Sequence, residues 1–307
     1  MIAILGATGT IGRSVARVLA RDRQRRLVLF ARDPSPLADQ PWSTNVSLRG
    51  LDRFVAGDFQ LVINAIGAGD PARVRTIGAD IFDITQTWDQ RVLMTMSADT
   101  RYVFLSSGAV YGTELTEPVR PDSRISLPVN HLASVPPYTI AKLYAEARHR
   151  FAPHRSILDV RVFGYADVTL PLEGSFFLSD LARSIITRRP LVTSADDMVR
   201  DYAGAEELVA LIQYWEAAAA PNTPLDLYTK APVSKLELLD IVQSRFGVEV
   251  DTRGGIEGSP TGTKPVYASQ NYAAAALGYS PRRTAAEIVV EFLDAVSSAH
   301  NLDIARR

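Results

Sequence analysis

Tyr138 and Lys142 stand four residues apart in the stretch Val135-Pro136-Pro137-Tyr138-Thr139-Ile140-Ala141-Lys142-Leu143-Tyr144-Ala145-Glu146. Beyond the prolines the pattern is helical, and helical residues four apart share a face. A free phenol has a pKa of about 10 and exchanges protons poorly at neutral pH. An ammonium beside it favours the phenolate and lowers that pKa, which equips the pair for acid–base work. Upstream, Arg101-Tyr102-Val103-Phe104-Leu105-Ser106-Ser107-Gly108-Ala109-Val110-Tyr111-Gly112 reads as a buried strand ending in a hydroxyl-bearing turn. With that strand end facing the helix, Ser107 can hydrogen-bond the same substrate oxygen as Tyr138. A Tyr-x-x-x-Lys spacing arises readily by chance in a chain with 11 Tyr, so its weight comes from its neighbours.

The elements that must position these groups follow from periodicity. Pro137 suits the first turn of the tyrosine helix, where its missing N–H costs nothing. Ile140, Leu143 and Ala147 are expected to face a core. At the N-terminus an apolar strand, residues 1–5, runs into Gly6-Ala7-Thr8-Gly9-Thr10-Ile11-Gly12, then a helix to about Ala20 and a second strand, Leu27-Val28-Leu29-Phe30-Ala31. This is a βαβ unit with a glycine-rich turn. Gly6 permits the tight turn, Gly9 lets a pyrophosphate approach, and Gly12 allows close helix–sheet packing. Thr8, Thr10 and Ile11 complete the cradle at a helix N-terminus, where free N–H groups favour phosphate. The second strand closes on Ala31-Arg32-Asp33, and Arg32 there favours the 2′-phosphate of NADP(H), while Asp33 keeps NAD(H) open.

Residues 59–67 form the next buried strand, with Asn64, Ala65 and Ile66 expected beside the cofactor ribose. Residues 45–57 are short for a complete strand–helix unit, so the sheet should be trimmed there. A helix over 83–96 and a strand over 156–163 continue the alternation. The predicted fold is α/β, a doubly wound parallel Rossmann sheet with a smaller C-terminal α/β substrate lobe. The expected division is a dinucleotide-binding domain over 1–164 and the lobe over 165–307, with about 200–230 returning to the first domain. Helices near 176–187, 205–217, 235–246 and 284–298 and a short strand at 191–193 populate the lobe.

Composition narrows the classes. The net charge of −1 offers no footprint for nucleic acid or an anionic membrane. The absence of cysteine rules out disulfides, thiolate metal sites and a cysteine nucleophile, and the four histidines lack metal-ligand spacing, so no metal is expected. No apolar run approaches the roughly 20 residues that span a bilayer. With no basic leader, the expectation is a soluble cytoplasmic protein.

Together the segments resemble the extended short-chain dehydrogenase/reductases, specifically the NAD-dependent epimerase/dehydratase group acting on nucleotide sugars. The residues that carry the resemblance are Gly6 to Gly12, Ser106 to Gly112, Tyr138-x-x-x-Lys142, Arg200-Asp201-Tyr202 and Leu277-Gly278-Tyr279-Ser280-Pro281. The resemblance implies that Tyr138 is the catalytic acid/base, and that Lys142 binds the nicotinamide ribose and lowers the Tyr138 pKa. It also implies that Ser107, with Gly108 beside it, holds the reacting oxygen and that Arg200 contacts a substrate diphosphate. A surface Arg200 paired with Asp201 is the plainer alternative. A homodimer through two long helices is usual in the group.

Departures narrow the expectation. Gly108 and Ala109 replace the Asp-Glu pair of the dehydratases, so elimination of water lacks its acid and base. Asp83 and Gly164 stand where asparagines are usual, and Ala203 to Glu207 departs from the family's pattern. The expected activity is hydride transfer to or from a sugar ring carbon, foremost as a nucleotide-sugar 4-ketoreductase using NADPH. A C4 epimerase with retained NAD is the closest rival, and a non-catalytic dinucleotide sensor a more distant one.

Overall fold

The computed structural model describes residues 1–252 and 264–306. Strand β1 (Ile2–Leu5), helix α1 (Thr10–Leu19) and β2 (Leu27–Ala31) form the first βαβ unit. A four-residue helix, α2 (Ser35–Ala38), lies within the crossover to β3 (Val46–Gly50). Then come β4 (Leu61–Asn64), α3 (Pro71–Ile77), α4 (Ile81–Thr95), β5 (Arg101–Ser107), α5 (Pro137–Arg150) and β6 (Ile157–Val162). The second half holds β7 (Gly164–Tyr165), α6 (Phe177–Thr187), β8 (Leu191–Val192), β9 (Val199–Arg200) and β10 (Tyr202–Ala203). It continues with α7 (Ala205–Ala217), β11 (Thr223–Asp226), β12 (Val233–Ser234) and α8 (Lys235–Phe246). Strands β13 (Val250–Asp251) and β14 (Val266–Tyr267) and helix α9 (Ala285–Arg306) complete it.

Seven parallel strands form the central sheet in the order β11-β6-β5-β4-β1-β2-β3. Strands β1, β2 and β4 are buried at every position because helices cover both faces, which explains their unbroken apolar sequence. The order reverses between β1 and β4, opening a crevice beyond their C-terminal ends where doubly wound sheets bind ligands. The glycine turn follows β1, residues 65–67 follow β4, and Ser107 ends β5, so all three border that crevice.

Three local outcomes differ from the sequence pattern. The stretch 45–57 does supply a strand, β3; only the crossover helix is reduced, to α2. Helix α3 stands where no helix was predicted, started by Pro71 and capped by Asp70, whose carboxylate accepts the Arg73 N–H at 3.0 Å. Helix α5 buries Ala141, Lys142, Ala145, Glu146 and His149, whereas Ala147 is exposed and Ile140 and Leu143 only partly covered. The inward face is the charged one because each of its charges meets a partner.

Helix α7 packs on α1, and β11 pairs with β6, so this part of the second half joins the central sheet. The lobe has its own core, including Leu181, Leu239, Val242, Val289 and Phe292. Its three-stranded sheet sets β9 between β12 and β14. Among the described residues no helix is long and apolar enough to cross a membrane.

His149 lies fully buried between two carboxylates, with Nδ1 2.6 Å from Asp159 and Nε2 2.7 Å from Asp89. Burial pushes its pKa down, but the hydrogen bonds and charges of Asp159 and Asp89 outweigh this and hold it at about 9. A raised folded-state pKa contributes stability fully below the unfolded value near 6.5 and loses it as pH rises through about 9. Thermal unfolding at stepped pH should therefore show a decline between those limits, up to about 3 kcal/mol. The variant His149→Gln should start lower and lack that step; an equal step in the variant would assign it elsewhere.

Candidate active site

The first element at the crevice is the glycine turn. Gly6 has φ +75°, a conformation that disfavours any side chain. A Cβ on Gly12 would come within 2.4 Å of the Gly6 carbonyl oxygen, so this turn closes only with glycine. Helix α1 begins at Thr10 behind Gly9, without a side-chain cap and without an acidic residue in its first turn. Its first N–H groups face the crevice with the positive end of the helix dipole behind them. Next to them the Nε of Arg13 is buried with no hydrogen-bond partner among the described residues. A cradle free of side chains, open N–H donors and an unpartnered guanidinium nitrogen fit a dinucleotide pyrophosphate.

Of the residues expected beside the cofactor, Ala65 and Ile66 bring their backbone against Gly6, 3.0 Å from where a Cβ would stand. The Asn64 side chain is used otherwise. Its amide donates to the Tyr102 hydroxyl at 2.9 Å and its carbonyl accepts the Ile66 N–H at 3.1 Å. Asn64 therefore shapes the loop rather than facing the crevice. Arg32 is exposed just past β2, and the neighbouring Asp33 carboxylate accepts the Ser35 N–H at 2.9 Å.

The segment after β7 spans the crevice like a strap. At one end Thr169 donates from Oγ1 to the Thr10 carbonyl at 3.0 Å and accepts from Arg13 at 3.1 Å. At the other, Ser175 donates its N–H to Asp70 at 3.1 Å, and its hydroxyl accepts the Ala72 N–H at 3.3 Å. It thus ties the glycine-turn side of the crevice to the loop beyond β4.

The reactive groups gather beside the strap. Ser107 is buried at the end of β5, with its Oγ near enough to Tyr138, at the first turn of α5, to act on that phenol. Lys142 is buried one turn on, with its ammonium 5.7 Å from the Tyr138 ring centre and 4.3 Å from that of Phe104. It donates to the Leu105 carbonyl at 2.7 Å. Burial lowers the Lys142 pKa to about 8, against the opposing pull of Asp89, Asp159 and Glu146. Burial raises the Tyr138 pKa, which the Ser107 hydrogen bond only partly offsets. That direction is opposite to the lowering expected from Lys142, because burial disfavours the phenolate while the ammonium is turned to the Leu105 carbonyl.

Gly108, expected to touch substrate, lies under Phe163; a Cβ there would sit 2.5 Å from that ring. Arg200 is buried rather than superficial, and its guanidinium donates to the Val199 carbonyl at 2.9 Å. Asp201 is not its partner, since that carboxylate accepts from the Thr229 hydroxyl at 2.6 Å and backbone N–H at 3.1 Å. Among the described residues no carboxylate pairs with Arg200, and burial lowers its pKa.

Two residues of this site were not singled out by sequence reasoning. Tyr267 on β14 is in register with Arg200 on β9, and its hydroxyl lies 3.1 Å from Ser107 Oγ. Lys264 holds its ammonium 4.3 Å over the Tyr267 ring, and burial together with the Arg200 charge lowers its pKa to about 8. The one signal was chemical: Lys264 is a lysine in a chain whose basic residues are nearly all arginine.

The sequence matches the model of the NAD dependent epimerase/dehydratase family over residues 2–222. No curated protein matches it. Among solved structures, the UDP-glucuronic acid 4-epimerase from Bacillus cereus, in complex with UDP-glucuronic acid and NAD, superposes with a TM-score of 0.77 at 15% identity, covering 97% of this chain and 99% of that one. The UDP-glucose 4-epimerase of Thermotoga maritima, with UDP-glucose, gives 0.75 at 14% identity over 97% and 99% of the two chains. MoeE5, in complex with UDP-glucose and NAD, gives 0.73 at 19% identity over 98% and 99%.

Proposed function

The chain belongs to the NAD dependent epimerase/dehydratase family, and from that premise we propose that it oxidises and re-reduces C4 of a nucleotide-linked sugar, acting as a 4-epimerase with a retained cofactor. The observation that carries this reading is the pair of cations, buried Arg200 and half-buried Lys264, which flank Tyr267 as it reaches the Ser107 hydroxyl. Two like charges withdrawn from bulk water call for an anion, and a sugar diphosphate supplies one beside the oxygen-binding hydroxyls. The neighbours solved with UDP-sugars and NAD agree with it.

In this reading residues 1–164 hold the cofactor and 165–307 the substrate, with α7 and β11 returning to the first part. The glycine turn, the α1 N-terminus and Arg13 hold the pyrophosphate, and Lys142 the nicotinamide ribose. The nicotinamide supplies reversible hydride exchange with C4. Tyr138 takes the proton of the O4 hydroxyl and later returns it, while Ser107 holds that oxygen in place. Gly108 and Ala109 offer no acid or base for elimination of water.

The strap fastened at Thr169 and Ser175 favours a cofactor held through many turnovers, and hence epimerisation. Arg32 at the end of β2 favours the second reading, a ketoreductase that exchanges NADPH. Groove residues Leu93, Tyr144, Ala147 and Phe151 on the outer side of α4 and α5 leave Tyr144 50% and Phe151 90% exposed, which favours a homodimer through this face.

Denaturing the purified protein should release about one NAD per chain. An empty protein that binds NADPH in preference to NADH would select the ketoreductase. Tyr138→Phe should lower turnover of UDP-sugars by about a hundredfold or more with cofactor content unchanged; unaltered turnover would remove Tyr138 from the chemistry. Arg200→Ala and Lys264→Ala should each weaken UDP binding by about tenfold or more in titration calorimetry. Light scattering should give twice the chain mass, and Phe151→Arg should halve it.

A further inference from the structure

Ser107 has its Oγ 3.1 Å from the Tyr267 hydroxyl on β14 and near enough to Tyr138 on α5 to lower the pKa of that phenol. Its hydrogen bonds can be counted. A serine hydroxyl has one proton to donate and two lone pairs to accept with. The Ala109 backbone N–H takes one lone pair at 3.2 Å. When Tyr138 is ionised its oxygen can only accept, so the Ser107 proton must point to it. The remaining lone pair of Ser107 then has one donor within reach, the Tyr267 hydroxyl at 3.1 Å.

We propose that Tyr267 is a positioning residue for the reaction: its O–H donates to Ser107 Oγ, which commits the serine proton to the oxygen of Tyr138, or to the substrate oxygen that binds between them. Tyr267 can fill this role only if it remains protonated. Burial raises its pKa well above the ordinary phenol range, more than the Ser107 hydrogen bond and the Arg200 charge lower it. It therefore stays a donor while Tyr138 titrates. Chains of hydrogen bonds polarise one another, so a donor behind Ser107 makes Ser107 a stronger donor in turn.

The charged and titratable groups around this chain come from four directions. Lys142 faces Tyr138 from α5, and Asp89 and Asp159 act on Lys142 from α4 and β6. Arg200 on β9 and Lys264 before β14 face Tyr267 from the lobe. Asp226 at the end of β11 acts on Tyr267 with the opposite sign. None of these donates to Ser107; Tyr267 is the side chain that does. The ring is held in place from both sides, by Phe163 at 5.1 Å between centres and by the Lys264 ammonium. Removing only the hydroxyl therefore leaves its packing intact.

The inference rests on Tyr138 being the acid/base, as proposed above, yet its test needs no substrate and no turnover. The NAD-loaded protein is titrated with base while phenolate absorbance is followed in the near ultraviolet. The transition missing in Tyr138→Phe identifies Tyr138. In Tyr267→Phe that transition should move up by about half a pH unit or more. Ser107→Ala should raise it as well, and adding Tyr267→Phe to Ser107→Ala should then produce no further shift. An unmoved transition in Tyr267→Phe, or equal shifts with and without Ser107, would overturn the proposal. Should Tyr267→Phe fail to fold, an unmoved transition in Ser107→Ala alone would overturn it. Absence of UDP-sugar turnover in the unsubstituted protein, with these shifts intact, would instead count against the epimerase reading and leave this one standing.

Discussion

Arg161, near the C-terminal end of β6, is the residue on which the arrangement of the site depends. Its guanidinium meets the Glu146 carboxylate of α5 with Nη2 at 2.6 Å and Nε at 3.1 Å, and donates to the Tyr111 hydroxyl at 2.7 Å. Ser106 donates to the same Glu146, and Tyr111 in turn donates to Asp226 at the end of β11. Ser269 donates to Asp226 at 2.6 Å, two residues beyond Tyr267. One cation thus ties the tyrosine helix, the serine strand and the last strand of the lobe into one buried network. A buried charge that loses its partner costs about 3–5 kcal/mol, so the parts of this network cannot shift independently. The position of Tyr138 is set by charge satisfaction on the polar face of its helix more than by apolar packing.

That constraint also explains what could be read from the sequence and what could not. Tyr138, Lys142 and Ser107 were legible because helical spacing and a strand end fix their relation within short stretches of chain. The glycine turn was legible for the same reason, and the parallel sheet followed from buried apolar runs that alternate with helices. The buried face of α5 was misjudged because apolar periodicity does not count partnered charges. Lys142, Glu146 and His149 are buried through Leu105, Arg161, Asp159 and Asp89, all on other elements. Strand β14 has two residues, too few for a period to show, and its value lies in pairing with β9 across more than sixty positions of chain. Asn64 looked free because its partner, Tyr102, sits on a neighbouring strand.

Electrostatically the site is a contest between burial and charge. Burial disfavours both the Tyr138 phenolate and the Lys142 ammonium, so each weakens the charged form that the other would stabilise. The Ser107 hydroxyl favours the phenolate, and the carboxylates of Asp89, Asp159 and Glu146 favour the ammonium. The crevice and the C-terminal lobe are accordingly not independent modules. They share hydrogen bonds at Thr169 and Ser175, and they share the serine.

The order in which the parts leave the ribosome has a consequence of its own. A nascent chain exposes the glycine turn first, the serine strand and tyrosine helix near its middle, and Lys264 and Tyr267 only in its last sixth. Until β14 inserts beside β9, Arg200 has no strand on that side. A growing polypeptide therefore completes the glycine turn and the crevice strands well before Arg200 and Tyr267 can pair. Any chain cut short before β14 would lack both that pairing and the Tyr267 contact with Ser107.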